Sequence, residues 1–307
     1  MLEGGLVWGR VEQLVLIVII SKPHSQAFVG EFVLKQNVTE CEGERNRALS
    51  WRDILAFFSL TFALTIPFWI IGMASDNEFM PGLPSAALAV ICPAAAALLL
   101  SWRLAGVASA RALLKRTIDL GKVKPKAWWL PILLFSPGVS GAAFFISRNA
   151  GTGIPNPQIS VLSAVMLFAI FLIFAVTEEM GWTGFALGPL QMRVGAIPAG
   201  LLIGAIWAVW HYPALLQAHR SGVWIAWWTL GTISLRLFMV WLFNRTGGSV
   251  FAVVIVHATN NLCWQLYPIQ GSWFDPRING VIMASVALMV VLTAIFKQGQ
   301  DRHRSRS

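Results

Sequence analysis

Two adjacent glutamates, two histidines and an asparagine lie in stretches that are otherwise strongly apolar, and they are the residues of this chain best suited to chemistry. Glu178 and Glu179 follow the apolar run 161–176 and are the only acidic residues between Asp119 and Asp275. A carboxylate in such a setting is costly: insertion scales put it near +3 kcal/mol at a helix centre, so it is expected to be paired or functional. Successive helical residues point about 100° apart, so the two glutamates can serve different purposes. His211 and His257 also stand inside apolar runs, and Asn261 follows His257 by four residues. That spacing puts imidazole and amide on one helical face. Trp207 stands four residues before His211 in the same way. Carboxylate, imidazole and amide groups meeting in one cavity supply what hydrolysis needs: a base for a water, and donors for an oxyanion. Two other roles use the same residues. They could hold helices together by hydrogen bonds, or relay protons in a transporter. Adhesion alone would be met more cheaply by Ser, Thr or Asn. Transport lacks the paired broken helices of inverted repeats. Arg236, between Leu235 and Leu237, is a guanidinium that should seek Glu178 or Glu179, or else reach water along the bundle.

The elements that must position these groups are membrane spans. Of 307 residues 56% are hydrophobic and only 12% charged, with 15 Trp, which excludes an ordinary soluble domain. A spanning helix takes roughly 20 apolar residues. Eight such runs are predicted, near 54–73, 83–102, 127–146, 161–182, 197–217, 223–243, 250–267 and 278–296. The fold class is therefore an all-α polytopic transmembrane bundle. The net charge of +9 points to a lipid bilayer and not to nucleic acid, because the basic residues crowd into short connections. The segment between the second and third runs holds Arg103, Arg111, Lys115, Arg116, Lys122, Lys124 and Lys126 against Asp119 alone. The positive-inside bias makes it cytoplasmic, and alternation then places both termini inside. His219 and Arg220 run against that bias on the opposite side. Residues 1–50 are expected to be a poorly ordered cytoplasmic extension, 51–297 the transmembrane domain and 298–307 a basic cytoplasmic tail. The short apolar run 14–20 is too brief to span, and no small-residue cleavage site follows to make it a signal peptide. Cys41, Cys92 and Cys263 show no metal-binding or disulfide spacing. The expected location is the inner membrane, crossed several times.

Three segments, in order and on successive spans, resemble the motifs of the CAAX protease and bacteriocin-processing (CPBP, or Abi) family of intramembrane proteases. They are Glu178-Glu179-Met180-Gly181-Trp182-Thr183, Trp207-Ala208-Val209-Trp210-His211, and Asn244 to Ser249 leading to His257-x-x-x-Asn261. The resemblance covers roughly residues 51–296. It implies an intramembrane endopeptidase acting on a peptide or protein substrate, prenylated or otherwise membrane-associated. It further implies Glu178 and Glu179 as water-activating carboxylates, His211 and His257 as catalytic or ligand residues, and Asn261 as a polarising amide. Thr183 stands where the family often has Arg, so no cation is expected from that position. A catalytically silent relative that acts by binding a partner is the alternative this departure keeps open.

Two activations of water fit these residues. Glu178 can accept the proton directly, with Glu179 orienting it or a neighbouring helix. Alternatively Glu178, His211 and His257 form a ligand set that catalytic Zn2+ accepts. No His-Glu-x-x-His run is present to decide between them. A Ser-His-Asp triad is excluded for want of an Asp in the spans.

Overall fold

The computed structural model describes residues 49–74 and 78–304. The expected extension lies almost wholly outside the described residues, as do Cys41, Asp76 and the last three residues of the tail. Within the described residues nine α-helices follow one another: α1 (Trp51–Ala74), α2 (Cys92–Thr117), α3 (Trp129–Asn149), α4 (Val161–Glu179), α5 (Gly188–Val194), α6 (Ala196–Gln217), α7 (Gly222–Arg245), α8 (Val250–Leu266) and α9 (Pro276–Arg304). A small hairpin, β1 (Glu78–Met80) with β2 (Leu83–Pro84), caps one end of the bundle. Seven helical stretches are long and apolar enough to cross a bilayer, and α8 is a shorter apolar helix. The chain is thus a multi-pass, all-α membrane protein, with lipid-facing surfaces rich in exposed Leu, Ile, Val and Phe.

The fourth span differs from its expected bounds in a way that matters for the site. Instead of ending at residue 182, it runs on as one continuous helical stretch, Val161–Val194. Its middle part, Met180–Leu187, is wound as a π-helix joining α4 to α5. Gly188-Pro189 reads as a break, yet Pro189 stands at the join where the π-helical stretch passes into α5, and the helical path continues through it. Glu178 therefore sits near the middle of the span and level with the histidines. The reversal comes only at Gly195, whose φ of +88° suits glycine.

The π-helical stretch lies close against α2. A methyl group added at Gly181 would come within 2.7 Å of the Pro93 carbonyl oxygen and 2.9 Å of Phe57 Cζ. The guanidinium of Arg116 donates to the Gly184 carbonyl, and Phe57, Phe58 and Trp182 interlock beside it. α8 is the central, most enclosed helix and packs on α4, α3 and α7. The turn that launches it, Thr246 to Ser249, has Gly247 and Gly248 at φ +69° and +80°. Ser249 then caps α8 by accepting from the Ala252 N–H at 3.1 Å. The third sequence motif is therefore a backbone device that aims His257.

Candidate active site

Helices α4, α6, α7 and α8 bring their polar residues to one buried cluster. Glu179 is fully enclosed, and every face of its carboxylate is occupied. Arg236 of α7 grips it with both terminal nitrogens, Nη1 to Oε2 at 2.7 Å and Nη2 to Oε1 at 2.9 Å. His257 Nδ1 donates to Oε1 at 2.9 Å, and the Thr183 hydroxyl donates to Oε2 at 2.5 Å. Four donors, two of them from one bidentate guanidinium, leave this carboxylate no free lone pair for a substrate. Of the options for Arg236, pairing with Glu179 is the one the structure adopts.

Glu178 has a different environment. Its Oε2 accepts one hydrogen bond, from Trp207 Nε1 at 2.8 Å. Its Oε1 faces His257 Nε2 at 3.9 Å, too far for a direct bond and within reach of one bridging water. It lines a cavity of about 190 Å³, together with Trp207, His211, His257, Asn260 and Asn261.

The two imidazoles are held alike. Each uses Nδ1 as a donor, His257 to Glu179 and His211 to the Trp207 carbonyl at 2.8 Å. This fixes the rings and leaves both Nε2 atoms as the nitrogens available to other partners. His211 is boxed by Trp207, Trp210 and Trp228, with ring centroids 5.4, 4.7 and 5.4 Å away. Trp210 is itself tied by Nε1 to Thr65 Oγ1 of α1 at 2.8 Å.

Trp207 links four of these groups. It donates to Glu178, accepts from His211 through its carbonyl, meets His257 edge-on at 5.1 Å, and covers the Arg236 guanidinium at 4.3 Å. Sequence reasoning noted its spacing to His211 but did not find this role, because bonds to other helices leave no trace in local spacing. It also missed Thr183 as a partner of Glu179, although the four-residue spacing carried the signal. The cation not expected at position 183 comes instead from Arg236, whose Nη1 lies 3.3 Å from Thr183 Oγ1.

Among the described residues no three His, Cys, Asp or Glu side chains are grouped so as to hold a metal ion. Glu178 and the free Nε2 atoms of His211 and His257 line one cavity and are donor types that suit zinc, although no three such groups come together for it.

Comparison with known proteins points the same way as the motifs. A family model described as type II CAAX prenyl endopeptidase, Rce1-like, matches residues 160–263, the segment that carries Glu178, His211, His257 and Asn261. The chain is also similar to a CAAX prenyl protease 2 of Methanococcus maripaludis, with 24% identity over 175 residues. That alignment takes in 52% of this chain and spans 64% of the length of the relative.

Proposed function

We propose, from the three motifs and the similarity to CAAX prenyl endopeptidases, that the cavity at Glu178 hydrolyses a peptide bond of a membrane-associated substrate. The observation that carries this reading is the unequal use of the two glutamates: Glu179 is saturated by Arg236, His257 and Thr183, while Glu178 has an oxygen turned to His257 Nε2 across a gap one water can fill. Such a water gives one proton toward Glu178 Oε1 and the other toward the lone pair of His257 Nε2, which aims its oxygen into the cavity.

Glu178 takes the first proton as the water oxygen attacks the scissile carbonyl, and passes it to the leaving nitrogen as the C–N bond breaks. The Asn261 amide, on the same helical face as His257, donates to the oxyanion, and His211 borders the same space through its free Nε2. Glu179 takes no proton. It fixes the imidazole of His257, and Arg236 and Thr183 fix Glu179. Zinc on Glu178, His211 and His257 is the second reading, favoured by the donor set; there it would supply a more acidic bound water and charge for the oxyanion.

The test is hydrolysis of a peptide panel, prenylated and plain, by detergent-purified protein with and without a chelator. Glu178→Gln is expected to abolish cleavage, and chelator to leave it intact. Activity lost to chelator and restored by zinc selects the metal reading. Full activity in Glu178→Gln contradicts both.

A further inference from the structure

The cavity that holds Glu178 is lined by many aromatic and aliphatic side chains and by a single Lys or Arg, Arg220. Arg220 lies in the short connection between α6 and α7, half-buried, with its guanidinium 4.9 Å over the Trp224 ring. Among the described residues no carboxylate pairs with it: Glu178 is the one acidic residue lining the cavity, and the nearby Asp275 is bonded to Arg277. Partial burial penalises its charge without a counter-charge to offset the cost. Its position is also anomalous by charge distribution, since it lies on the end of the bundle opposite the basic connections that contain Lys122, Lys124 and Lys126. A half-desolvated guanidinium held by an aromatic ring at the edge of an apolar cavity is a planar fork without an anion.

We propose that Arg220 is an anion subsite of this cavity, taking the free C-terminal carboxylate of a peptide whose scissile bond lies at Glu178. The proposal rests on the hydrolytic reading above and adds a polarity to it. The C-terminal end of the substrate lies toward Arg220, apolar side chains fill the aromatic walls, and the rest of the peptide leaves past the histidines. The neutral tryptophans Trp224 and Trp228 exclude water from the ion pair that forms and so strengthen it.

The experiment compares one apolar peptide as free acid and as C-terminal amide, plus an amide whose last residue is Glu. Cleavage is followed with the wild-type protein, Arg220→Gln and Arg220→Lys, and binding of the same peptides is followed with Glu178→Gln. Wild type is expected to prefer the acid over the amide by about 10- to 100-fold in KM, the range for a hydrogen-bonded charge pair. Arg220→Gln should erase most of that preference while kcat falls little, and Arg220→Lys should keep part of it. Equal handling of acid and amide by wild type overturns the subsite, as does an equal loss on both in Arg220→Gln, the pattern of an arginine that anchors a lipid headgroup. Tight use of the Glu-ended amide would overturn the C-terminal assignment in favour of a side-chain carboxylate. If no peptide is cut, but Glu178→Gln still binds acid over amide in a manner lost with Arg220→Gln, the subsite stands and proteolysis falls.

Discussion

Glu178 and Glu179 are neighbours in sequence, yet the first borders a cavity with an oxygen to spare while the second is sealed among four donors. The types of these residues and their cost in a membrane were legible in the sequence, as was the need of Arg236 for a carboxylate. Which glutamate it would take was not, because that depends on the rotation of α4 about its axis, and packing against α2 and α8 sets that rotation. Breaking a buried pair from one side leaves an uncompensated charge and costs about 3–5 kcal/mol. Glu179→Gln is therefore expected to lower the thermal midpoint of the purified protein sharply. The double replacement Glu179→Leu with Arg236→Met should recover much of that stability while activity stays lost, since His257 then has nothing to hold its Nδ1. Trp207→Phe keeps an aromatic ring, though a smaller one, and removes the donor to Glu178, a bond to a charged group worth about 1.5–3 kcal/mol. Its kcat is expected to fall about 10- to 100-fold with an unchanged fold by circular dichroism. An unaltered kcat would remove Trp207 from the catalytic arrangement.

Helix existence followed directly from apolar run lengths, and each of the eight expected spans has a helical counterpart. The continuity of α4 through the π-helical stretch into α5 was hidden, because glycine and proline at 188 and 189 ordinarily end a helix. What keeps the helix whole there is tertiary: Gly181 lets the backbone approach Pro93, and Arg116 reaches a carbonyl of the stretch. Gly181→Ala needs space already held by the Pro93 carbonyl and must push α2 and the π-helical stretch apart. We expect it to reduce activity more than it reduces helix content, because the displaced segment is the one that sets the direction of Glu178. A Gly181→Ala protein with wild-type kcat would show that this close approach is not needed for catalysis. α8 makes the complementary point. It is short for a span, but it lies in the protein interior and not against lipid, so its 17 residues suffice.

Among the described residues, most of the positive charge lies at the end of the bundle opposite the cavity. The basic residues gather in the connections that contain Lys122, Lys124, Arg193 and Arg245, whereas the cavity is lined by residues from β2, from the connection after α6 and from the segment before α9. The positive-inside bias predicts from this that the cavity end faces away from the cytoplasm. His219 and Lys124, both exposed, report the two ends. In intact cells a membrane-impermeant maleimide is expected to label His219→Cys above the background of the parent chain and to leave Lys124→Cys unlabelled. The reverse pattern would turn the cavity toward the cytoplasm.

The division of labour between the two glutamates is tested most directly by a single kinetic comparison in one detergent: the rate of peptide hydrolysis by wild-type protein against Glu178→Gln, with melting curves confirming that both are folded. Glutamine keeps the shape and the Trp207 contact but cannot take a proton. Cleavage should fall to background while the melting point stays close to wild type. A folded Glu178→Gln protein that still cleaves at an appreciable rate would show that the water is activated elsewhere.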